Sequence, residues 1–144
     1  MCGKCEHWGQ LILRLAIGPI FIAHGGQKLF VQGHAAMAGS LTSLGIPLPA
    51  VAAWLLMLTE FVGGSFLLLG LFTRWASIPV AFAMLVAIIT VHLKHGLTGD
   101  ATGSGFEFPL ALMAMALCLM VQGGGKLSVD HLLKKKKSTP VVTM

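Results

Sequence analysis

The sequence predicts an all-α integral membrane protein, an antiparallel four-helix bundle with both termini in the cytoplasm. Three observations predict it. Hydrophobic residues make up 56% of the 144-residue chain and charged residues 10%, against roughly 25% charged in soluble domains, and the mean hydropathy is +0.84. Four mostly apolar stretches, near 9–31, 50–72, 75–95 and 106–122, approach the length of about 20 residues that a bilayer crossing needs. The basic residues are also uneven: Lys4, Arg14, Arg74, Lys126 and Lys134–Lys137 fall at one set of span ends, with Lys94 and Lys28 at the other. That bias puts both termini on the cytoplasmic side.

The same numbers exclude other classes. The 18 glycines have no three-residue period, so the chain is neither collagen-like nor of low complexity. A net charge of +5 and a pI near 9.5 could suggest nucleic acid, but four of the ten basic residues form one run near the chain's end. That is a tail rather than a binding face, and no nucleic-acid partner is expected.

Residues 1–8 form a cytoplasmic end carrying Cys2 and Cys5 in a C-G-K-C motif. It lacks the strand-to-helix setting of a thioredoxin motif, and Cys5-Glu6-His7 misses the haem-attachment spacing. An inert or lipidated end is expected there. Residues 9–130 form the membrane domain. In its first span, 100° per residue places Arg14, Phe21, Gly25 and Lys28 in one narrow arc with His24 at its edge. Pro19 removes the backbone bond to the Leu15 carbonyl and should kink this helix beside Arg14. Ala36-Met37-Ala38 has the form of a signal-peptidase site. The polar His24, Gln27, Lys28 and Gln32 before it argue that the segment is retained.

The connection 33–48 places Met37, Leu41 and Leu44 at helical spacing, which predicts a short helix on the membrane surface. In the second span Glu60 has no basic neighbour on its own helix. A charge at mid-span costs about 2.5–3.5 kcal/mol on insertion scales, so its partner must come from another helix. At about 1.5 Å per residue, Glu60 lies about 16 Å below the outer edge, His24 about 10 Å and Lys28 about 4–5 Å. By this count His24 is the nearest first-span neighbour in depth, and Arg14 reaches Glu60 only with an extended side chain. The third span brings His92 near its outer end. Glycine-rich residues 96–105 have no phosphate-cradle spacing and read as a flexible loop, with His95, like His34 in the first connection, an ordinary loop residue. The fourth span opens with Glu107 and carries Cys118, read as a small core residue. A basic cytoplasmic tail, 131–144, completes the chain.

All four helices thus supply an ionisable group to the bundle's outer half. Two readings remain open: buried ion pairs that fix helix register, and a proton-handling or quinone-head-group pocket. In the second, Glu60 and Arg14 form the buried proton and ion-pair site, and His24, Lys28, His92 and Glu107 line the head-group pocket. No metal site is expected. Haem suits the pattern less well than quinone, because His24 and His92 are at unequal depths.

In the first span stands Arg14-x3-Gly18-x2-Phe21-x2-His24-Gly25-x2-Lys28-Leu29-Phe30, followed by Leu44-Gly45-Ile46-Pro47. The second has Glu60-Phe61-Val62-Gly63-Gly64 leading to Leu69-Gly70-Leu71-Phe72-Thr73-Arg74. The fourth opens Gly105-Phe106-Glu107-Phe108-Pro109-Leu110 and closes Gly123-Gly124-Gly125-Lys126-Leu127-Ser128-Val129-Asp130. Over roughly residues 9–130 this pattern resembles the DoxX family of small membrane proteins. The resemblance implies a four-span bundle associated with membrane oxidoreductase systems, among them quinone-linked sulfur oxidation and assemblies that handle thiol or peroxide stress. The chain departs from the family in two places. It has no tyrosine, with Phe108 where a tyrosine often follows the glutamate, and Cys2 and Cys5 fall outside the family core.

The function expected is therefore a small inner-membrane subunit of an oxidoreductase complex, quinone-linked or proton-handling. Its partners would be the lipid membrane and either other membrane subunits or a soluble redox protein. The alternative is a non-enzymatic scaffold or small-solute carrier. Disulfide-generating chemistry is disfavoured, because no cysteine pair lies near the outer pocket.

Overall fold

A computed structural model describes residues 3–137, with side chains over residues 8–135. The described residues are all-helical. Helix α1 (Gly3–Gly26) runs without a break into a π-helical segment, Gln27–Gln32, and ends where Gly33 takes a positive φ. Helix α2 (Gly33–Ser43) comes next. Pro49 then opens α3 (Pro49–Leu69), as suits a residue whose missing N–H has no partner in a first turn. Helix α4 (Thr73–Ala87) continues through a second π-helical segment, Ile88–His92, and a 3-10 turn, Leu93–His95. Helix α5 spans Glu107–Gln122 and α6 spans Val129–Lys137.

Two stretches, Pro49–Leu69 and Thr73–His95, are long and apolar enough to cross a membrane; α5 is apolar but shorter. Helix α1 packs on α3, α3 on α4, α4 on α5 and α5 back on α1. Inside this ring lies a core of Ile17, Phe21, Leu67, Val80, Ala116 and Leu119. Outside it, Trp8, Ile12, Trp54, Leu55, Trp75, Phe82, Ile89 and Val121 are exposed. An apolar exterior of this extent is ordinary against lipid and unusual against water.

Close approach of α1 and α3 needs glycine. A Cβ on Gly64 would sit 2.7 Å from the Phe21 Cβ and 2.9 Å from the Ile22 nitrogen, and one on Gly25 would strike the Phe61 backbone. Gly25 is thereby held against the Glu60–Phe61 peptide, which sets the level at which the next turn of the first helix meets Glu60. Helix α2 buries Met37 and Leu41 against Ala53 and Met57 at the start of α3, and the His34 ring stacks on Trp54 at 4.9 Å while its Nε2 lies 2.8 Å from the Ala50 carbonyl. His34 thus anchors a helix instead of hanging from a loop.

Two further expectations meet a different outcome. Cys118 is exposed on α5, because the core-facing stripe there is Leu112, Ala116 and Leu119. Residues 96–105 form a built loop, in which the Phe106 and Glu107 amides donate to the Gly96 and Leu97 carbonyls at 3.1 and 3.0 Å. Within it Asp100 accepts from the Thr102 and Gly103 amides at 2.7 and 3.1 Å and from the Thr102 hydroxyl at 2.5 Å, and faces His95 Nδ1 at 3.2 Å. The Cys2/Cys5 motif lies outside the residues whose side chains are described.

Candidate functional site

The ring has an upper end, which carries residues 44–48 and 96–105, and a lower end, which carries residues 70–72 and 123–128. At the upper end the Lys28 ammonium donates to both carboxylate oxygens of Glu60, at 2.6 Å to Oε2 and in closer contact with Oε1. Glu60 is 3% exposed and Lys28 22%. The carboxylate is therefore shut away from solvent, whereas the lysine side chain is only partly covered. Lys28 belongs to the first π-helical segment. The extra residue in such a turn rotates the succeeding side chains relative to a regular α-helix, and π-turns gather at functional sites.

The pair faces a cavity of about 1220 Å³ walled mainly by apolar side chains. His24, His92 and Glu107 also line it, together with the hydroxyl residues Ser40, Thr59, Thr90, Thr98 and Ser104. Five of the six residues singled out from the sequence thus converge. His92 sits in the second π-helical segment, and its Nδ1 lies 2.9 Å from the Ser104 carbonyl. A carbonyl only accepts, so Nδ1 carries the proton and, in the neutral ring, Nε2 is an acceptor. The His24 ring lies 6.3 Å from that of Phe108. The hydroxyl groups have no pattern in the sequence that marks them; Thr59 alone is adjacent to one of the residues singled out, Glu60.

Arg14 is not part of this cavity. It is buried at the lower end, where Nε donates to the Leu67 carbonyl (3.0 Å), Nη2 to Leu68 (2.8 Å) and Nη1 to Gly124 (2.9 Å) and Leu127 (2.8 Å). A guanidinium has the donor fork to tie the end of α3 to the 124–127 chain, which a point-like ammonium lacks. Around it, Asp130 accepts from the Phe72 and Thr73 amides at 2.7 and 2.9 Å and from the Thr73 hydroxyl at 3.0 Å, capping α4. The Ser128 hydroxyl donates to the Gly125 carbonyl at 2.5 Å and receives the His131 amide at 3.2 Å. The expected Glu60–Arg14 site is therefore two sites: Glu60 meets Lys28, and Arg14 closes a structural knot. His24, the nearest neighbour by depth counting, lines the cavity without pairing with Glu60.

Among the described residues no group of three or more His, Cys, Asp or Glu is placed to hold a metal ion. One ammonium, two imidazoles and several hydroxyls stand above apolar walls, a set able to hydrogen-bond a mostly apolar ligand that carries a few polar atoms.

A family model described as DoxX matches residues 9–93. The chain is 35% identical over 130 residues to "Putative oxidoreductase CatD" of Bacillus subtilis, covering 90% of each chain. It is 31% identical to "Inner membrane protein YphA" of Escherichia coli over 84% of this chain and 87% of that one. Against "Inner membrane protein YqjF" of the same organism the identity is 31%, over 92% and 98%. No solved structure matches the chain.

Proposed function

The chain belongs to the DoxX family of membrane proteins, and from that premise we propose that it is an inner-membrane subunit of an oxidoreductase complex, crossing the bilayer four times and binding a quinone head group between its helices. The observation that carries this reading is the buried Lys28–Glu60 pair facing a large, mostly apolar cavity with His24, His92 and Glu107 around it. The relative named for oxidoreductase activity supports the redox class, and those named as inner membrane proteins support the location.

A bound quinone would supply reversible uptake of two electrons and two protons, with the electrons delivered by another subunit or a soluble redox protein. This chain's own residues bind and manage protons. Lys28 commits two N–H groups to Glu60 and has a third for a head-group carbonyl. Glu60 holds that ammonium in place and can accept a proton from it or from the ligand. His92, protonated on Nδ1, offers Nε2 as an acceptor for a second hydroxyl proton. The apolar walls exclude water and so strengthen each of these contacts. Arg14 takes no part.

The test is menadione binding to the protein in nanodiscs, alongside quinone-dependent turnover of the membrane fraction. Lys28→Met should weaken menadione binding about tenfold, and Glu60→Gln should keep the fold while lowering turnover. Normal turnover in a fully folded Glu60→Gln protein would overturn the reading and leave a scaffold, in which the same pair only joins α1 to α3, or a small-solute carrier.

A further inference from the structure

The seam between α3 and α4 carries a second, shallower groove of about 560 Å³. Thr59 and Pro79 line both this groove and the upper cavity, so the two adjoin at that level of the α3–α4 seam. From there the groove descends seven residues along each helix, from Thr59 to Phe66 on α3 and from Pro79 to Phe72 before α4, about 10 Å at helical rise. Its floor is made of small residues, Gly63 and Ala76, and its rims of large exposed ones, Leu58, Val62 and Trp75. Leu55 and Phe82 line the cavity while remaining 63% and 65% exposed. The cavity wall therefore reaches the bundle's outer surface between α3 and α4, at a level where an apolar exterior faces lipid.

Resting on the head-group reading, we propose that the cavity's ligand is an isoprenoid quinone that enters sideways from the bilayer between α3 and α4 and lays the first stretch of its tail in the Gly63–Ala76 groove. The adjacency of the groove to the cavity, through Thr59 and Pro79, argues for this occupant. A head group beside Lys28 has its ring substituent directed to the side where the wall is both apolar and open, and the groove begins there. A water-soluble solute would gain nothing from such a seam. An isoprenoid chain gains burial against Phe66 and Trp75.

The experiment compares menadione, which has the head group alone, with menaquinone-4, which adds an isoprenoid tail, for nanodisc-embedded wild type, Ala76→Leu and Val62→Phe. Comparing variants in the same bilayer cancels the tail's partitioning into lipid. Ala76 and Val62 line the groove and not the cavity, so menadione affinity should hold while menaquinone-4 affinity falls about tenfold. Val62 is 40% exposed and so can be enlarged without repacking the core, should Ala76→Leu disturb the fold. Menaquinone-4 binding that is unchanged in both variants, or that falls only in step with menadione, overturns the groove while leaving the head-group site standing. If wild type binds neither quinone, the head-group reading and the groove proposal that rests on it both fail.

Discussion

Lys28 and Glu60 are an unequal pair, and the inequality is measurable. Glu60 is 3% exposed and Lys28 22%, so removing the lysine strands a carboxylate that water cannot reach, whereas removing the carboxylate leaves a lysine side chain that is only partly covered. Lys28→Met should therefore cost about 3–5 kcal/mol. Glu60→Gln, whose amide oxygen still accepts from Nζ, should cost about 1–2 kcal/mol. In a double-mutant cycle read by thermal unfolding in detergent, Lys28 and Glu60 should couple, while Arg14→Gln with Glu60→Gln should be additive; coupling in the second cycle alone would reverse the assignment. The sequence showed that Glu60 needed a cation from another helix, and it named the right helix. It did not show which residue, because counting depth from a common outer edge assumes that the first and second spans end level. They do not: Gly25 packs against the Glu60–Phe61 peptide, and the π-turn at Gln27–Gln32 re-aims Lys28 over the carboxylate. Neither the level nor the turn leaves a mark in hydropathy.

The helices of the ring were legible from apolar length, and the short α2 from the spacing of Met37 and Leu41; the polar α6, read only as a basic tail, and what the connections do were not. Residues 123–130 stood out only as a glycine-rich motif, yet Gly70, at φ +69°, leaves room for the Arg14 guanidinium, since a Cβ there would lie 2.6 Å from Arg14 Cζ and 2.6 Å from the Ser128 Cβ. Long-range hydrogen bonds of a side chain to carbonyls have no periodicity for a sequence to display. Arg14→Lys should lose most of these carbonyl bonds and lower stability by on the order of 2–3 kcal/mol, read by thermal unfolding, with menadione affinity unchanged because the knot and the cavity are separate. The 96–105 loop makes a prediction in pH. Its Asp100 carboxyl is pulled down to about 2, first by the Thr102 hydroxyl, then by the Thr102 amide, with His95 a lesser cause. A depressed carboxyl contributes stability that is present above its unfolded value of about 3.9 and is lost as pH falls through about 2. At about pH 3 the amides of Thr102 and Gly103 should stay protected from hydrogen exchange in wild type and lose protection in Thr102→Val, where the leading cause is gone; equal protection in both proteins would count against the role given to Thr102.

At the scale of the molecule, an apolar exterior and two long apolar helices agree with the all-α membrane class expected from composition, and the upper cavity gathers groups from α1, α4, α5 and α3 that are far apart in the chain. The convergence was foreseeable because mid-membrane charges must face protein; the groove between α3 and α4 was not, since it depends on which residues of the two helices meet. The quinone reading makes the side of the membrane matter, because a pocket that takes up protons does so from whichever compartment its upper end faces. The basic residues argue the direction. Arg14, Arg74, Lys126 and the Lys134–Lys137 run gather at or beyond the lower end, and Lys28 and Lys94 mark the upper. Lys28 is paired with Glu60, which leaves the upper end poorer still in positive charge, and the retention of positive loops in the cytoplasm then predicts that the cavity faces the periplasm. Two labels test this in intact cells with Cys2, Cys5 and Cys118 changed to Ser. Ala101→Cys, exposed in the 96–105 loop, should react with a membrane-impermeant maleimide, and alkaline phosphatase fused after residue 144 should be inactive. The reverse pattern, a silent Ala101→Cys with an active phosphatase, would turn the molecule over and place proton uptake at the cytoplasmic face.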